Sequence, residues 1–164
     1  MAIAGLIMGA VGSAFYYILI VPPEQSDRLT AINELRFALE RIQQDGVQAQ
    51  SFILGSDPYV YYGYFYSEDY QCNPNDCLTS NVSYKYDDGK LVRVETRVET
   101  MDSTPTTTTT NMTLSSHIVN FGDVSFAYDE NSQVTVSITV TLNPGTANEI
   151  SKTDTRYIDM RAAP

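Results

Sequence analysis

The first 21 residues, MAIAGLIMGAVGSAFYYILIV, contain no charged side chain. As a helix they would be about 31 Å long, which is close to the thickness of the hydrocarbon core of a bilayer. A cleaved secretory signal is the alternative, but such signals carry basic residues ahead of a shorter apolar run, and no Lys or Arg precedes this one. We therefore predict that residues 1–23 form a hydrophobic helix suited to a membrane or to the core of an assembly.

Small residues recur along this apolar segment. Gly5 and Gly9 form a GxxxG motif, and Gly12 and Ala14 continue the series. Small residues three and four positions apart let helix backbones approach closely in an apolar medium; chance is the alternative, because glycine is common in membrane helices. The residues predicted to pack against neighbouring helices are Met1, Ala4, Gly5, Ile7, Met8, Gly9, Gly12, Ala14, Phe15, Ile18 and Pro22.

A second, amphipathic helix is predicted for residues 24–55. The Pro22-Pro23 pair lacks backbone donors and disfavours helix at the residue before it, which predicts a break there. Apolar residues then recur every three or four positions, as on one helix face, while charged residues, Asp45 among them, lie on the other faces; Gly55 to Pro58 is predicted to end the helix. The residues predicted to pack on the rest of the protein are Leu29, Ile32, Leu35, Leu39, Ile42 and Ala49.

Residues 56–164 are predicted to form one β-domain, because the apolar pattern there has a period of two. The threonine-rich segment 103–113 is predicted to be an exposed loop. The fold class is therefore predicted as α+β, with a long N-terminal helix, broken near Pro22-Pro23, packed on a mostly antiparallel sheet. The predicted strands and hairpins cover residues 59–67, 81–100 (turning at Asp88-Gly89), 123–143 and 150–162.

The tyrosines at positions 59–70 are predicted to lie in a strand whose rings shield the sheet. Alternation predicts that Tyr59, Tyr61 and Phe65 share one face, and that Tyr62, Tyr64 and Tyr66 share the other. If the second face is outside, it is a candidate surface for contact between subunits.

Catalysis is not predicted. His117 is the single histidine, in a predicted strand over 114–121 and without a nucleophile motif. The acid pairs 87–88 and 129–130 could bind calcium, but both fall at turns, where acids are favoured by local hydrogen bonds, and EF-hand spacing is absent. We predict no cofactor and no metal. The net charge of −10 argues against nucleic-acid binding by the β-domain.

The two cysteines, Cys72 and Cys77, are predicted to form a disulfide that closes a short loop. Disulfides persist in oxidising locations outside the cytoplasm. Asn81 and Asn111 each begin an Asn-x-Ser/Thr sequence, the acceptor pattern for N-glycosylation in such a location. These features favour an extracellular β-domain.

The layout resembles type IV pilins, and more narrowly the minor pilins and type II secretion pseudopilins. An uncharged helix begins the chain, Pro22 stands where the mature pilin helix carries a proline, and an amphipathic pattern follows from Arg28 to Arg41. The segments 84–93 and 124–128 and the strand ending at Arg161 also look like that branch. The resemblance covers nearly the whole chain and is most specific over its first fifty residues.

The resemblance implies a structural subunit of an extracellular type IV pilus-like filament, held in the cytoplasmic membrane before assembly. Its implied partners are further copies of itself and the pilus assembly machinery, and N-methylation of Met1 is implied. Gly5 stands where the family has glutamate, so assembly would depend on apolar and small-residue packing. The alternative is a monomeric membrane-anchored extracellular domain for binding or adhesion.

Overall fold

The computed structural model describes residues 21–55, 61–69, 76–129 and 133–160. In these ranges the chain forms one α-helix, one 3-10 turn and eight strands. The helix α1 spans Val21–Gln48, and the 3-10 turn spans Phe121–Asp123. The strands are β1 Ser51–Leu54, β2 Tyr61–Glu68, β3 Cys77–Asp87, β4 Lys90–Met101, β5 Thr104–Ser115, β6 Val124–Tyr128, β7 Gln133–Leu142 and β8 Ile150–Asp159.

The strands form two antiparallel sheets. One sheet has five strands in the order β1-β2-β3-β4-β5, and the other has three in the order β6-β7-β8. Within each sheet, strands that follow one another in sequence are paired. Helix α1 contacts both sheets, mostly through β7 and β8.

The predicted fold class, a long N-terminal helix broken at Pro22-Pro23 and packed on one sheet, is wrong. The structure is mostly antiparallel β, in two sheets, with a single 28-residue helix among the described residues. Pro22 and Pro23 lie within α1, because the first turn of a helix needs no backbone donor from these residues. No helix in the described ranges combines the length and apolarity needed to cross a membrane.

Helix α1 also ends earlier than predicted. It stops at Gln48, and Ser51–Leu54 then forms β1, where Ser51 lies opposite Tyr66 and Leu54 opposite Gly63. The predicted continuation to residue 55 is wrong because pairing with β2 supplies the backbone hydrogen bonds of this segment.

A single hydrophobic core joins the helix and both sheets. Alternate residues of β7 are buried, and aromatic rings of the two sheets meet: the ring centroid of Phe126 lies 5.8 Å from that of Phe52 and 5.3 Å from that of Tyr84. Each sheet has one apolar face, so closing them around one core shields both from water. The buried apolar side chains of α1 are Ala31, Leu35, Ala38, Leu39 and Ile42.

The predicted hairpins over 81–100 and 123–143 are confirmed as β3–β4 and β6–β7. Asp88 and Gly89 both have positive φ, 45° and 79°, as a type I′ turn requires. The predicted loop at 103–113 is wrong, because this segment forms most of β5 and pairs with β4. Residues Thr104 to Thr113 are exposed, so both sides of this part of β5 face solvent, which explains their polarity. Threonine is β-branched and therefore favours the strand conformation.

The tyrosine faces differ from the alternation predicted for β2. The register shifts between Tyr61 and Gly63, and Gly63 has φ 151°. Such a bulge moves the following side chains to the other face. Tyr62 is therefore buried, as Phe65 is, while Tyr64 and Tyr66 are partly exposed.

Gly46 marks the closest approach of α1 to the sheets. A Cβ atom there would lie 2.6 Å from Cγ2 of Ile158 and 3.2 Å from Cζ of Phe65. We expect Gly46→Ala to destabilise the protein by about 1 kcal/mol, because overpacking costs about 1–3 kcal/mol and exceeds the gain of about 1 kcal/mol in helix propensity. Denaturant unfolding of the full chain in detergent measures this. Gly122→Ala is the control, since nothing lies within 4 Å of its Cβ position; equal effects would contradict the close approach.

Candidate functional site

Most of the residues predicted to pack in an assembly core fall outside the described ranges. Pro22 lies in α1, though its side chain is not described. The others, outside these ranges, are Met1, Ala4, Gly5, Ile7, Met8, Gly9, Gly12, Ala14, Phe15 and Ile18.

The helix residues predicted to pack on the β-domain divide into two groups. Leu35, Leu39, Ile42 and Ala49 are buried. The prediction is wrong for Leu29 and Ile32, which are 61% and 47% exposed. The buried face of α1 instead includes two alanines, Ala31 and Ala38, whose small side chains let the helix approach the sheets closely.

Four apolar side chains of α1 are exposed to solvent. We define the outer helix strip as Leu29, Ile32, Phe37 and Val47, which are all about half exposed or more. Arg36 and Glu40 lie between them and form an ion pair with each other, with 2.7 Å between Nε and Oε1. The strip therefore has no net charge in a chain whose net charge is −10.

A buried ion pair joins α1 to the five-stranded sheet. Asp45, predicted to face solvent, is buried. Arg93 of β4 donates from Nε to Oδ2 of Asp45 at 2.6 Å and from Nη2 to Oδ1 at 2.8 Å. The hydroxyl of Tyr84, on β3 directly opposite Arg93, donates to the same Oδ2 at 2.6 Å. Arg93 also donates from Nη1 to Oε2 of Glu95 at 2.8 Å.

The environment of this cluster sets the protonation of its members. Burial raises the pKa of Tyr84 well above its ordinary value of 10.0, and the negative charge of Asp45 adds to the rise. The hydrogen bond from Arg93 lowers the pKa of Glu95 below its ordinary value of 4.5, although partial burial opposes this. Tyr84 thus stays a hydrogen-bond donor and Glu95 stays charged at neutral pH. Neither group is matched to proton transfer near pH 7.

His117 and Ser115 both contact Glu34 of α1. The predicted strand over 114–121 is wrong, because β5 ends at Ser115 and His117 follows it in a loop. Nδ1 of His117 lies 2.8 Å from Oε1 of Glu34, and the Ser115 hydroxyl donates to Oε2 at 2.8 Å. Because the serine and the imidazole both bind Glu34, they fasten the loop after β5 to α1.

The predicted disulfide and acid pairs lie only partly within the described ranges. Cys77 is disulfide-bonded, while Cys72 lies outside those ranges. Asp88 occupies a turn, and Asp129 accepts a hydrogen bond from the backbone of Gln133 at 3.0 Å. The part of the chain that the structure describes has no group of three or more His, Cys, Asp or Glu residues that could hold a metal ion.

The outer sheet face is the face of the five-stranded sheet turned away from Tyr84 and Arg93. Directly opposed residues of antiparallel strands point to the same face. Tyr66 lies opposite Asn81, and Asn81 lies opposite Thr96. One row along, the register joins Tyr64 to Ser83, Ser83 to Val94, and Val94 to Asn111. Both predicted glycosylation sites therefore share this face, and both asparagines are exposed.

Comparison with known proteins identifies no relative. The sequence matches no protein-family model and has no significant match among curated proteins or solved structures.

The contribution of the Asp45–Arg93 pair can be isolated with a matched exposed pair. We expect Arg93→Gln to destabilise the full chain by about 3 kcal/mol, because the buried carboxylate of Asp45 then keeps only the more distant cation of Arg41, 3.8 Å away. Arg36→Gln breaks a pair of the same 2.6–2.7 Å separation but in solvent, and should change stability little. Denaturant unfolding in detergent measures both variants. Similar losses would show that Asp45 is not enclosed.

The lowered pKa of Glu95 predicts an acid-sensitive contribution. Because the folded state favours the charged form, this contribution is complete above pH 4.5, the ordinary value, and is lost as the pH falls through the lower folded value. We expect Glu95→Gln to flatten the decline of the unfolding free energy below pH 4.5. An unchanged decline in the variant would contradict the pairing of Glu95 with Arg93.

Proposed function

We propose that this chain is a structural subunit of an extracellular filament of the type IV pilus kind, which polymerises through its apolar N-terminal residues. One observation carries the proposal. The uncharged residues 1–21 lead directly into α1, and α1 keeps the apolar side chains of the outer helix strip exposed to solvent. Residues 1–21, which suit an apolar environment, are thus followed in the sequence by the outer helix strip.

A second copy of the chain is the partner that best fits the outer helix strip. Copies of a chain with a net charge of −10 repel one another at most orientations. The charges within the strip, Arg36 and Glu40, are already paired, so contact along α1 avoids this repulsion. Where the strip of one copy meets a different surface of the next copy, the contact is heterologous, and its repetition along an axis gives a helical polymer.

Burial supplies the energy of such a contact. Full burial of a Leu or Phe side chain contributes about 1.5–3 kcal/mol relative to water. The strip offers four apolar side chains for burial, among them Leu29 and Phe37. The uncharged residues 1–21 add close helix packing through their small side chains.

The proposed life of the subunit has two stages. It is held in the cytoplasmic membrane by residues 1–21, and pilus assembly machinery then transfers it into the filament outside the cell. The disulfide at Cys77 supports the extracellular location. The proposed role is structural, with further copies of the chain and the assembly machinery as its partners, and it involves no enzymatic activity, cofactor or nucleic-acid contact by the β-domain.

A charge placed in the strip tests the proposal. We expect Phe37→Glu to lower the amount of chain in the filament fraction sheared from cells by about tenfold or more. A tenfold loss requires the contact between copies to weaken by only about 1.4 kcal/mol. Met101→Glu is the matched control, since Met101 is also an exposed apolar residue, 64% accessible, but lies at the end of β4. Electron microscopy and immunoblotting of the sheared and membrane fractions provide the measurement.

Two results would contradict the proposal. A wild-type chain that stays in the membrane fraction and yields only monomers on crosslinking would identify a membrane-anchored extracellular domain instead. Equal filament yields for Phe37→Glu and Met101→Glu would remove the outer helix strip from the assembly contact.

A further inference from the structure

The two Asn-x-Ser/Thr sequences lie far apart in the chain but on one surface. Asn81 is in the central strand β3 and Asn111 is in the edge strand β5. The register places them in adjacent rows of the outer sheet face, and both are exposed. The sequence pattern alone does not require this shared orientation. Two asparagines placed independently in the strands of a sheet would lie on the same face only about half the time.

Strand geometry also sets the hydroxyl of each pattern beside its asparagine. Residues two apart in a strand point to the same face, so Ser83 lies beside Asn81 and Thr113 beside Asn111. We propose that Asn81 and Asn111 are both N-glycosylated, which makes the outer sheet face a sugar-covered surface. The proposal rests on the extracellular location in the proposed function.

The modification is a transfer from a lipid-phosphate-linked sugar. The amide nitrogen of the asparagine forms a bond to the anomeric carbon of the sugar. The bond from that carbon to the phosphate oxygen breaks, and its electron pair leaves with the lipid phosphate. The amide proton passes to a base of the transferase, so atoms and charge balance.

Tyr66 provides a platform for the sugar at Asn81. It lies directly opposite Asn81, at a cross-strand spacing of about 5 Å between Cβ atoms, and it is partly exposed. An aromatic ring in this position offers an apolar surface to the first sugar ring. Val94 lies opposite Asn111, so that site lacks an aromatic ring at the corresponding position.

The two sites also differ in when they can be modified. β3 is hydrogen-bonded to β2 on one side and to β4 on the other, so Asn81 can enter a transferase as an extended segment only before the sheet forms. In the described part of the sheet β5 is an edge strand, paired with β4, so Asn111 is accessible after folding as well. Sugars on this face leave the outer helix strip free, since α1 packs on the opposite side of the sheet through Asp45.

Peptide mass spectrometry of the chain isolated from its own cells tests the proposal. We expect a sugar mass on the peptides that contain Asn81 and Asn111. The sugar at Asn81 should be lost in Asn81→Gln and in Ser83→Ala, and kept in Ser83→Thr, which retains the hydroxyl. In the chain that carries the sugar, Asn81→Gln should change the midpoint of thermal unfolding, because it removes the sugar from Tyr66. In a chain that also carries Tyr66→Leu, Asn81→Gln should leave this midpoint unchanged.

Unmodified asparagines in a chain recovered from the cell surface would overturn the glycosylation while leaving the filament proposal standing. Sugar on both peptides of a chain that never enters the sheared fraction would support the glycosylation and contradict the filament. Sugar at Asn111 alone would overturn the two-site surface, and an unchanged thermal difference in Tyr66→Leu would overturn the role of the aromatic ring.

Discussion

The position of α1 depends on a buried carboxylate. Asp45 is buried between the helix and the five-stranded sheet, and Arg93 and Tyr84 together donate three hydrogen bonds to it. A buried charge is tolerated only when it is paired and hydrogen-bonded, so α1 can occupy this place only when β3 and β4 are correctly paired. The ion pair thereby links helix docking to the register of the sheet.

The remaining contacts of the helix follow from this arrangement. With Asp45 directed at the sheet, Gly46 comes close to Ile158 and Phe65, and the alanines at 31 and 38 are enclosed. Glu34 then lies where it binds His117 and Ser115, which fastens the loop after β5 to the same helix. The residues left outside form the outer helix strip, so the surface proposed for assembly is a consequence of how the buried face of the helix packs.

The two proposed surfaces of the molecule differ in chemistry. The outer helix strip is apolar and carries a self-paired Arg36–Glu40 contact, which suits association with a like-charged copy. The outer sheet face carries Asn81, Asn111 and the exposed threonines of β5, which suit solvent and modification. Their separation on opposite sides of the five-stranded sheet allows one surface to be covered by neighbours while the other stays in water.

Local patterns in the sequence determined several elements of this structure. Alternation and the Asp88-Gly89 turn predict the β3–β4 and β6–β7 hairpins because strand period and turn conformation are properties of neighbouring residues. The absence of charge in residues 1–21 and the Asn-x-Ser/Thr patterns are likewise visible in the sequence alone. Only the tertiary structure decided the features that need distant partners. It divided the strands into two sheets, buried Asp45 against an arginine 48 residues away, left Leu29 and Ile32 in solvent, and turned the threonine segment from a predicted loop into a strand. Periodicity shows that a helix or strand has an apolar side, but which residues are enclosed is set by the shape and charge of what packs against it.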